Sequence, residues 1–182
     1  RDRVNPPLLV VNDTVGTGAT GIVATEGAFE RIEVIDQGYD YVDTPTISIT
    51  GGNPTIVAEA EANMIAVNHV LPFNSGEESA GNNGINLSSD TIGFTTFHKF
   101  RDAERVVYDN GGQTNVGGMV TDSSYYVSIV DNFKIKLHNK KNDAETGTDP
   151  IDLTSYGIGR QFIRSFETKR IVSSINVTNP GS

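Results

Sequence analysis

The chain has 182 residues, no cysteine, no tryptophan and a formal net charge of −9. Without cysteine it can form neither a disulfide framework nor a thiolate zinc site. The acidity argues against attraction to nucleic acid or to an anionic membrane surface, and no apolar run approaches the roughly 20 residues of a membrane span. We therefore expect neither nucleic acid nor membrane among its partners.

The charge is uneven along the chain. Residues 1–97 hold 13 acidic and 3 basic side chains, a net −10, whereas residues 98–182 hold 10 acidic and 11 basic side chains, a net +1. A local basic cluster comprises Lys134, Lys136, Lys140 and Lys141. Because Lys134 and Lys136 alternate along a predicted strand, a solvated strand face explains this cluster better than a ligand site does.

The first third of the sequence alternates with a period of two, which is typical of half-buried strands. One predicted strand runs from Phe29 to Asp36 and ends near Gly38, and a second runs from Thr46 to Thr50 after Pro45. A third covers Ile56 to Ala62, where helix is the rival interpretation because alanine and glutamate are good helix formers. The strict alternation there favours a strand.

Similar units recur in this region. The repeated unit is a proline followed by a short predicted strand and then a glycine-bearing turn. It occurs at Pro7 to Val11 and again at Pro45 to Ile49, where the turn is Gly51 to Pro54. The segment 172–182 matches 29–39 in its apolar pattern. We therefore expect 167–182 to begin a further repeat unit, and the chain to be part of a longer protein.

The second half predicts several short strands separated by turn signals, which is typical of a small barrel or sandwich. The predicted strands are Ile85–Leu87, Thr91–Phe94, Val106–Tyr108, Tyr125–Val130, Phe133–Leu137, Ile151–Leu153 and Phe162–Phe166. Asp131-Asn132 predicts a two-residue hairpin turn, since such residues tolerate the positive φ that these turns need. The region before these strands, Asn74 to Asn86, is poor in apolar residues and predicts a linker.

These elements define an all-β fold class of two small modules, a glycine-rich strand repeat and a small β-barrel or sandwich. We divide the chain into a repeat module (1–67), a linker (68–84), a barrel or sandwich module (85–166) and the start of a further repeat unit (167–182). Helix content below about a third is therefore expected.

Two sets of residues resemble modules of the tail and baseplate proteins of large tailed bacteriophages, of the kind that infect marine cyanobacteria. The first set is Gly16-Thr17-Gly18-Ala19-Thr20 with the run from Ile32 through Gly38-Tyr39 and Pro45 to Gly51-Gly52. The second comprises His98, Val106-Val107-Tyr108, Gly117-Gly118, Tyr125-Tyr126-Val127, Lys136-Leu137, Ile151-Asp152-Leu153-Thr154 and Gly157-Ile158-Gly159. The modules usually have a Gly-Asp turn after the histidine, whereas this chain has Arg101 to Glu104.

The resemblance implies a structural role in the virion and no catalytic residues. The alternatives are a stalk or adhesion module of a bacterial extracellular surface protein, and the non-catalytic stalk of a glycan-degrading tail protein. The corresponding partners are other virion structural proteins, with a host-surface glycan as a further candidate. The expected location is the virion, with the extracellular space or cell surface as the alternative.

Candidate catalytic and binding residues each have a structural explanation. His98 stands alone between Phe97 and Lys99-Phe100, and a packed or hydrogen-bonded histidine fits it better than a base or a metal ligand. His69 and His138 lie far apart in the sequence and have no motif around them. Asp36, Asp40 and Asp43 suit either calcium or turn formation.

The tyrosines considered for sugar binding and the glycines considered for nucleotide binding also have structural explanations. Tyr108, Tyr125 and Tyr126 could stack on a sugar, but adjacent residues of a strand point to opposite faces, so a core ring and an exposed ring are expected at 125 and 126. Gly16 to Gly21 satisfies the G-x-G-x-x-G pattern but precedes a strand instead of a helix. We expect no catalytic residue, no cofactor and no metal site.

Self-association is expected as well. Glycine-heavy strands supply few large side chains for a core, and uncovered strand edges invite further pairing. Docking on neighbouring copies would satisfy both requirements, so we expect a homo-oligomer. Light scattering tests this, and a monomer that melts cooperatively at high temperature would contradict it.

Overall fold

The computed structural model describes residues 8–12, 16–26, 28–50, 56–79 and 81–181, without the side chains of residues 8, 17 and 22–30. The structure is 51% strand and 4% helix, which confirms the all-β fold class. The elements, in chain order, are β1 (Leu8–Asn12), β2 (Thr17–Glu26), β3 (Ala28–Tyr39), β4 (Thr46–Thr50), β5 (Glu59–Val67), β6 (Val70–Asn74), β7 (Gly84–Asn86), β8 (Thr91–Gly93), β9 (Arg105–Asp109), β10 (Ser124–Asp131), β11 (Lys134–His138), α1 (Lys141–Thr146), β12 (Arg160–Ser165) and β13 (Lys169–Asn179).

The chain divides into two compact units. The first unit contains residues 1–67 and 169–182, and the second contains residues 68–168. We call the second the inserted unit, because it interrupts the first in sequence. The chain passes between the units twice, at 67/68 and at 168/169.

The first unit is a sheet with the strand order β1-β4-β5-β13-β3-β2. In β5, Glu59 and Glu61 are exposed, whereas Ala60 is half-buried and Ala62 is buried. This alternation confirms strand over helix, although the strand begins at Glu59 instead of Ile56. The glycine turn predicted at Gly51 to Pro54 lies outside the described residues.

The final strand differs from the predicted division. Residues 169–179 do not form a separate unit; β13 lies in the first unit's own sheet, where it pairs with β5 from Lys169↔Val67 to Asn179↔Glu59. On its other side Ile175 pairs with Ile32 of β3, so the two segments that resemble each other in sequence are sheet neighbours. Buried Val172 and Ile175 supply core side chains to the first unit, which is the physical reason for this placement.

The inserted unit is a sheet with the order β6-β12-β9-β10-β11-β8-β7. Its two edges are joined just after β6: the Ile85 N–H donates to the Gly76 carbonyl at 2.8 Å, and the Glu78 N–H donates to the Ile85 carbonyl at 3.0 Å. The Lys134 ammonium lies 2.5 Å from the Glu78 carboxylate, and this hydrogen bond lowers the pKa of Glu78. The sheet therefore closes on itself like a small barrel.

Three local predictions differ from the structure of the inserted unit. Residues 70–74, predicted as linker, form β6, whose Pro72 is tolerated because β6 is an edge strand. Ile151 and Leu153 are buried on either side of exposed Asp152, but the segment is not a strand. In the β10–β11 hairpin, Asp131 pairs with Lys134 and its carboxylate accepts the Phe133 N–H at 2.7 Å, so the turn is Asn132-Phe133 and neither residue has positive φ.

The cores of the two units differ in size. Among the described side chains, the inserted unit buries large residues such as Phe73, Phe94 and Tyr108, whereas the first unit buries chiefly Ile32, Tyr41, Val172 and Ile175. No helix in the described part of the chain is long and apolar enough to cross a membrane.

Candidate functional site

His98 is buried and makes hydrogen bonds through both ring nitrogens. Its Nδ1 accepts the Phe100 N–H at 3.0 Å, and its Nε2 lies 2.7 Å from the Asp131 carbonyl oxygen. A carbonyl only accepts, so Nε2 carries the hydrogen and the ring is neutral. The ring stacks on Phe100 with an interplanar angle of 14°. These contacts make His98 a packing and hydrogen-bonding residue.

The other histidines are also buried and bound to backbone. His69 Nε2 lies 2.7 Å from the His98 carbonyl oxygen, and its ring meets Phe100 edge-on at 4.8 Å. His138 Nδ1 lies 2.9 Å from the Thr148 carbonyl oxygen, and its Nε2 lies 2.8 Å from the Ser128 hydroxyl. The structure brings His69 and His98 together around Phe100 and keeps His138 in a different network.

The aspartates considered for calcium have separate roles. The Asp36 carboxylate accepts the N–H of Gly38, two residues on within β3, at 2.9 Å, and Asp40 lies 3.3 Å from the ammonium of buried Lys169. Asp43 is exposed. Within the described ranges, no group of three or more histidine, aspartate or glutamate side chains is placed to hold a metal ion.

The glycine pattern at Gly16 to Gly21 serves packing. Gly16 precedes β2, and a Cβ there would lie 2.1 Å from the Tyr41 ring. A Cβ at Gly21 would lie 2.6 Å from the Leu9 side chain of β1, the opposite edge of the same sheet. Both glycines allow close approach of neighbouring side chains, and β3 follows β2 without the helix that a dinucleotide site requires.

The basic cluster is paired with acids. Lys134 contacts Glu78 at the barrel closure, Lys140 lies 3.8 Å from Asp143, and Lys141 lies 3.4 Å from Glu145. Lys134 and Lys136 are half-buried on β11. Lys134 and Lys136 are therefore less solvated than the sequence predicts, whereas Lys140 and Lys141 are exposed. Three of the four ammonium groups have carboxylate partners.

A buried polar network centres on Tyr108 and Gln161, both fully buried. The Tyr108 hydroxyl donates to Gln161 Oε1 at 2.5 Å and accepts the Val116 N–H at 3.0 Å. Gln161 Nε2 donates to the Thr114 carbonyl at 2.6 Å. The network ties the loop after β9 to β12, and it removes Tyr108 from consideration as a sugar platform.

The other tyrosines follow the predicted alternation. Tyr125 is buried, and its hydroxyl accepts the Val120 N–H at 2.9 Å. Tyr126 is half-buried on the opposite face. Adjacent rings on β10 therefore divide between core and surface, as expected for strand residues.

The Tyr108→Phe substitution is expected to destabilise the inserted unit by about 1–3 kcal/mol, because Gln161 Oε1 and the Val116 N–H would both remain buried without this partner. Urea unfolding followed by circular dichroism measures the change. Tyr126→Phe is the matched control, since no hydrogen bond of its hydroxyl is present in the described part of the chain. Equal costs for the two substitutions would contradict the network.

Because of Tyr108, the inserted unit is expected to lose stability at alkaline pH. Burial raises the pKa of Tyr108 above its ordinary value of 10.0. The unfolded chain then loses this proton at lower pH than the folded chain, so the contribution is complete below pH 10.0 and falls as pH rises towards the folded pKa. Melting temperatures above pH 10 should fall more steeply for the native chain than for Tyr108→Phe.

Among the described aromatic side chains, the most exposed is Phe97, which precedes buried His98 in the chain. The Phe97 and Phe133 rings meet edge-on at 4.9 Å, and Phe97 is 55% exposed. The loop that carries Phe97 also holds Lys99 at φ 54° and Ala103 at φ 57°. Left-handed backbone is costly for residues other than glycine, asparagine and aspartate, so the surrounding bonds hold this loop in a strained conformation.

The buried polar side chains of the inserted unit bind backbone groups or other side chains, and exposed Phe97 of the loop meets half-buried Phe133 of the β10–β11 turn. No family model, curated protein or solved structure matches this chain.

Proposed function

We propose that the chain is a segment of a virion structural protein of a tailed bacteriophage, from the tail or baseplate. In this proposal the first unit is a spacer and the inserted unit is a contact module. The separate roles of the two units are inferred from the insertion, since residues 68–168 form a compact unit between β5 and β13 of one sheet. The assignment to a virion rests on the sequence resemblance.

The spacer role follows from how the first unit is held together. Its strands β5 and β13 pair along their whole lengths, although 101 residues separate Val67 from Lys169. The Lys169–Asp40 ion pair adds a buried contact between β13 and the segment after β3.

The contact role follows from the larger core of the inserted unit. Loops can present fixed side chains only when a packed scaffold holds them, and this unit buries the larger apolar side chains of the described chain. The Phe97–Phe133 pair is one such presented surface. We propose that neighbouring virion proteins or further copies of the chain dock on such surfaces.

Purified particles encoded by the genome that carries this sequence test the proposal. Quantitative mass spectrometry of those particles should detect its peptides in fixed ratio to tail proteins, and antibodies against residues 68–168 should label the tail or baseplate in electron micrographs. Peptides in the host cell-surface fraction but not in particles would instead support the adhesin alternative. Release of sugars from host envelopes by a longer protein carrying the segment would identify the stalk of a depolymerase.

A further inference from the structure

The segment 94–104, here the His98 loop, is fixed to the β10–β11 turn by several bonds. The Phe94 N–H donates to the Phe133 carbonyl at 2.9 Å, and the His98 N–H donates to the Asn132 carbonyl at 3.0 Å. The His98 ring adds its contact with the Asp131 carbonyl. Phe97, on this loop, thereby meets Phe133.

The bonds of His98 are compatible with only one protonation state. Nδ1 faces the Phe100 N–H at 3.0 Å, and a backbone N–H can only donate. A proton on Nδ1 would place two donors against each other in a buried site, where His98 is 3% exposed. Protonation of His98 therefore breaks the bond to Phe100, and a buried donor without an acceptor is costly.

His138 provides an internal contrast. Its Nε2 faces the Ser128 hydroxyl at 2.8 Å, and a hydroxyl can donate or accept. The hydroxyl therefore does not dictate whether His138 Nε2 carries a hydrogen, and the Thr148 carbonyl at Nδ1 only accepts. The fixed backbone donor at Nδ1 thus distinguishes His98 from His138.

The contacts around His98 bring titratable and charged groups from each neighbouring element. Asp131 on the hairpin favours the charged imidazole, although its carboxylate is engaged by the Phe133 N–H. His69, before β6, donates to the His98 carbonyl, and Lys99 on the same loop opposes a second positive charge. Further along the loop, Glu104 accepts the Arg101 N–H and the Ser165 hydroxyl.

We propose that His98 is an acid-sensitive contact that releases the His98 loop when it is protonated. The loop carries strain at Lys99 and Ala103, and loss of the bond to Phe100 removes one of the bonds that hold it in this conformation, next to strained Lys99. The Ala103 N–H keeps its bond to the Val127 carbonyl at 2.7 Å, so the release is local to the part of the loop around His98. Release separates Phe97 from Phe133 and changes the surface that the inserted unit presents. Acidification therefore switches this surface while the barrel strands stay paired.

Amide exchange of the full chain, followed by NMR and corrected for the intrinsic effect of pH, tests the proposal. Between about pH 7.5 and about pH 5, the range in which histidine titrates, protection of the Phe100 amide should fall at least about tenfold. Protection in β9 should stay within a factor of about two. The nitrogen chemical shifts of His98 should show the Nε2–H form at the higher pH.

Matched variants assign the change to one residue. In His98→Asn the amide oxygen can accept the N–H two residues on, as in an Asx turn, and does not titrate, so protection of Phe100 should be equal at both pH values. His138→Gln and His69→Gln should keep the loss of protection seen in the native chain. Protonation of His98 without loss of protection, the same acid loss in His98→Asn, or simultaneous opening of β9 would each overturn the proposal.

Discussion

Gly118→Ala is expected to destabilise the inserted unit by about 3 kcal/mol or more, since it combines a backbone collision with a left-handed conformation. Gly118 has φ +92°, and a Cβ there would lie 2.1 Å from the Asp152 carbonyl oxygen. The segment it would displace carries Ile151 and Leu153 in the core. A fall in melting temperature of about 15 °C is the corresponding change for a unit of this size.

Two other glycines separate the contributions to this effect. Gly112 has φ +76° but open space around it, so Gly112→Ala should lower the free energy of unfolding by only about 1 kcal/mol. This loss comes from placing alanine in a left-handed backbone conformation. Gly81 has open space and no positive φ, so Gly81→Ala should leave stability within about 0.5 kcal/mol of the native value. Similar melting temperatures for the three variants would contradict the close approach at Gly118.

Lys169→Met is expected to destabilise the first unit by about 3 kcal/mol, because it removes the ammonium that lies 3.3 Å from the Asp40 carboxylate, which is 19% exposed. Asp40→Asn, which tolerates the φ of 65° at this position, removes the carboxylate charge beside the 3% exposed ammonium and should cost at least as much. Chemical unfolding monitored by NMR resonances of the first unit measures both changes.

The double variant and an exposed pair are the controls for Lys169. The double variant, Lys169→Met with Asp40→Asn, should lose less stability than the sum of the two single variants. The reason is that the stability changes of substitutions at residues in contact are not additive. Arg31 and Glu33 lie 3.8 Å apart with side chains 76% and 63% exposed, so Arg31→Ala should change stability by less than about 0.5 kcal/mol. Additive losses in the double variant would show that the Lys169–Asp40 pair is not coupled.

The sequence predicts much of the local structure and little of the connectivity. Period-two alternation locates most strands, because it reflects burial of one strand face. The place of β13 in the first sheet does not follow from that pattern, since its pairing with β5 spans the inserted unit. The similarity of 172–182 to 29–39 correctly signals related strands, but likeness alone does not distinguish sheet neighbours from successive repeats.

The buried polar groups were only partly predictable. His98 stands out in the sequence because it is isolated among aromatic residues, but the acceptor role of its Nδ1 depends on the loop conformation. Gln161 has no motif around it. One signal is available in retrospect: Gln161 and Ile163 share a face of β12, and Ile163 is fully buried. A polar residue on the apolar face of a strand requires a buried partner, which is Tyr108 here.

Strand β13 completes the sheet of the first unit, although the separately packed inserted unit lies between β13 and β5 in the sequence. The most direct measurement is residue-resolved amide exchange on a chain truncated after Thr168. We predict that protection is lost in β3 and β5, whose neighbour β13 is removed, while β9, β10 and β12 keep the protection they have in the full chain. Retained protection in β3 and β5, or loss of protection throughout the inserted unit, would contradict the account.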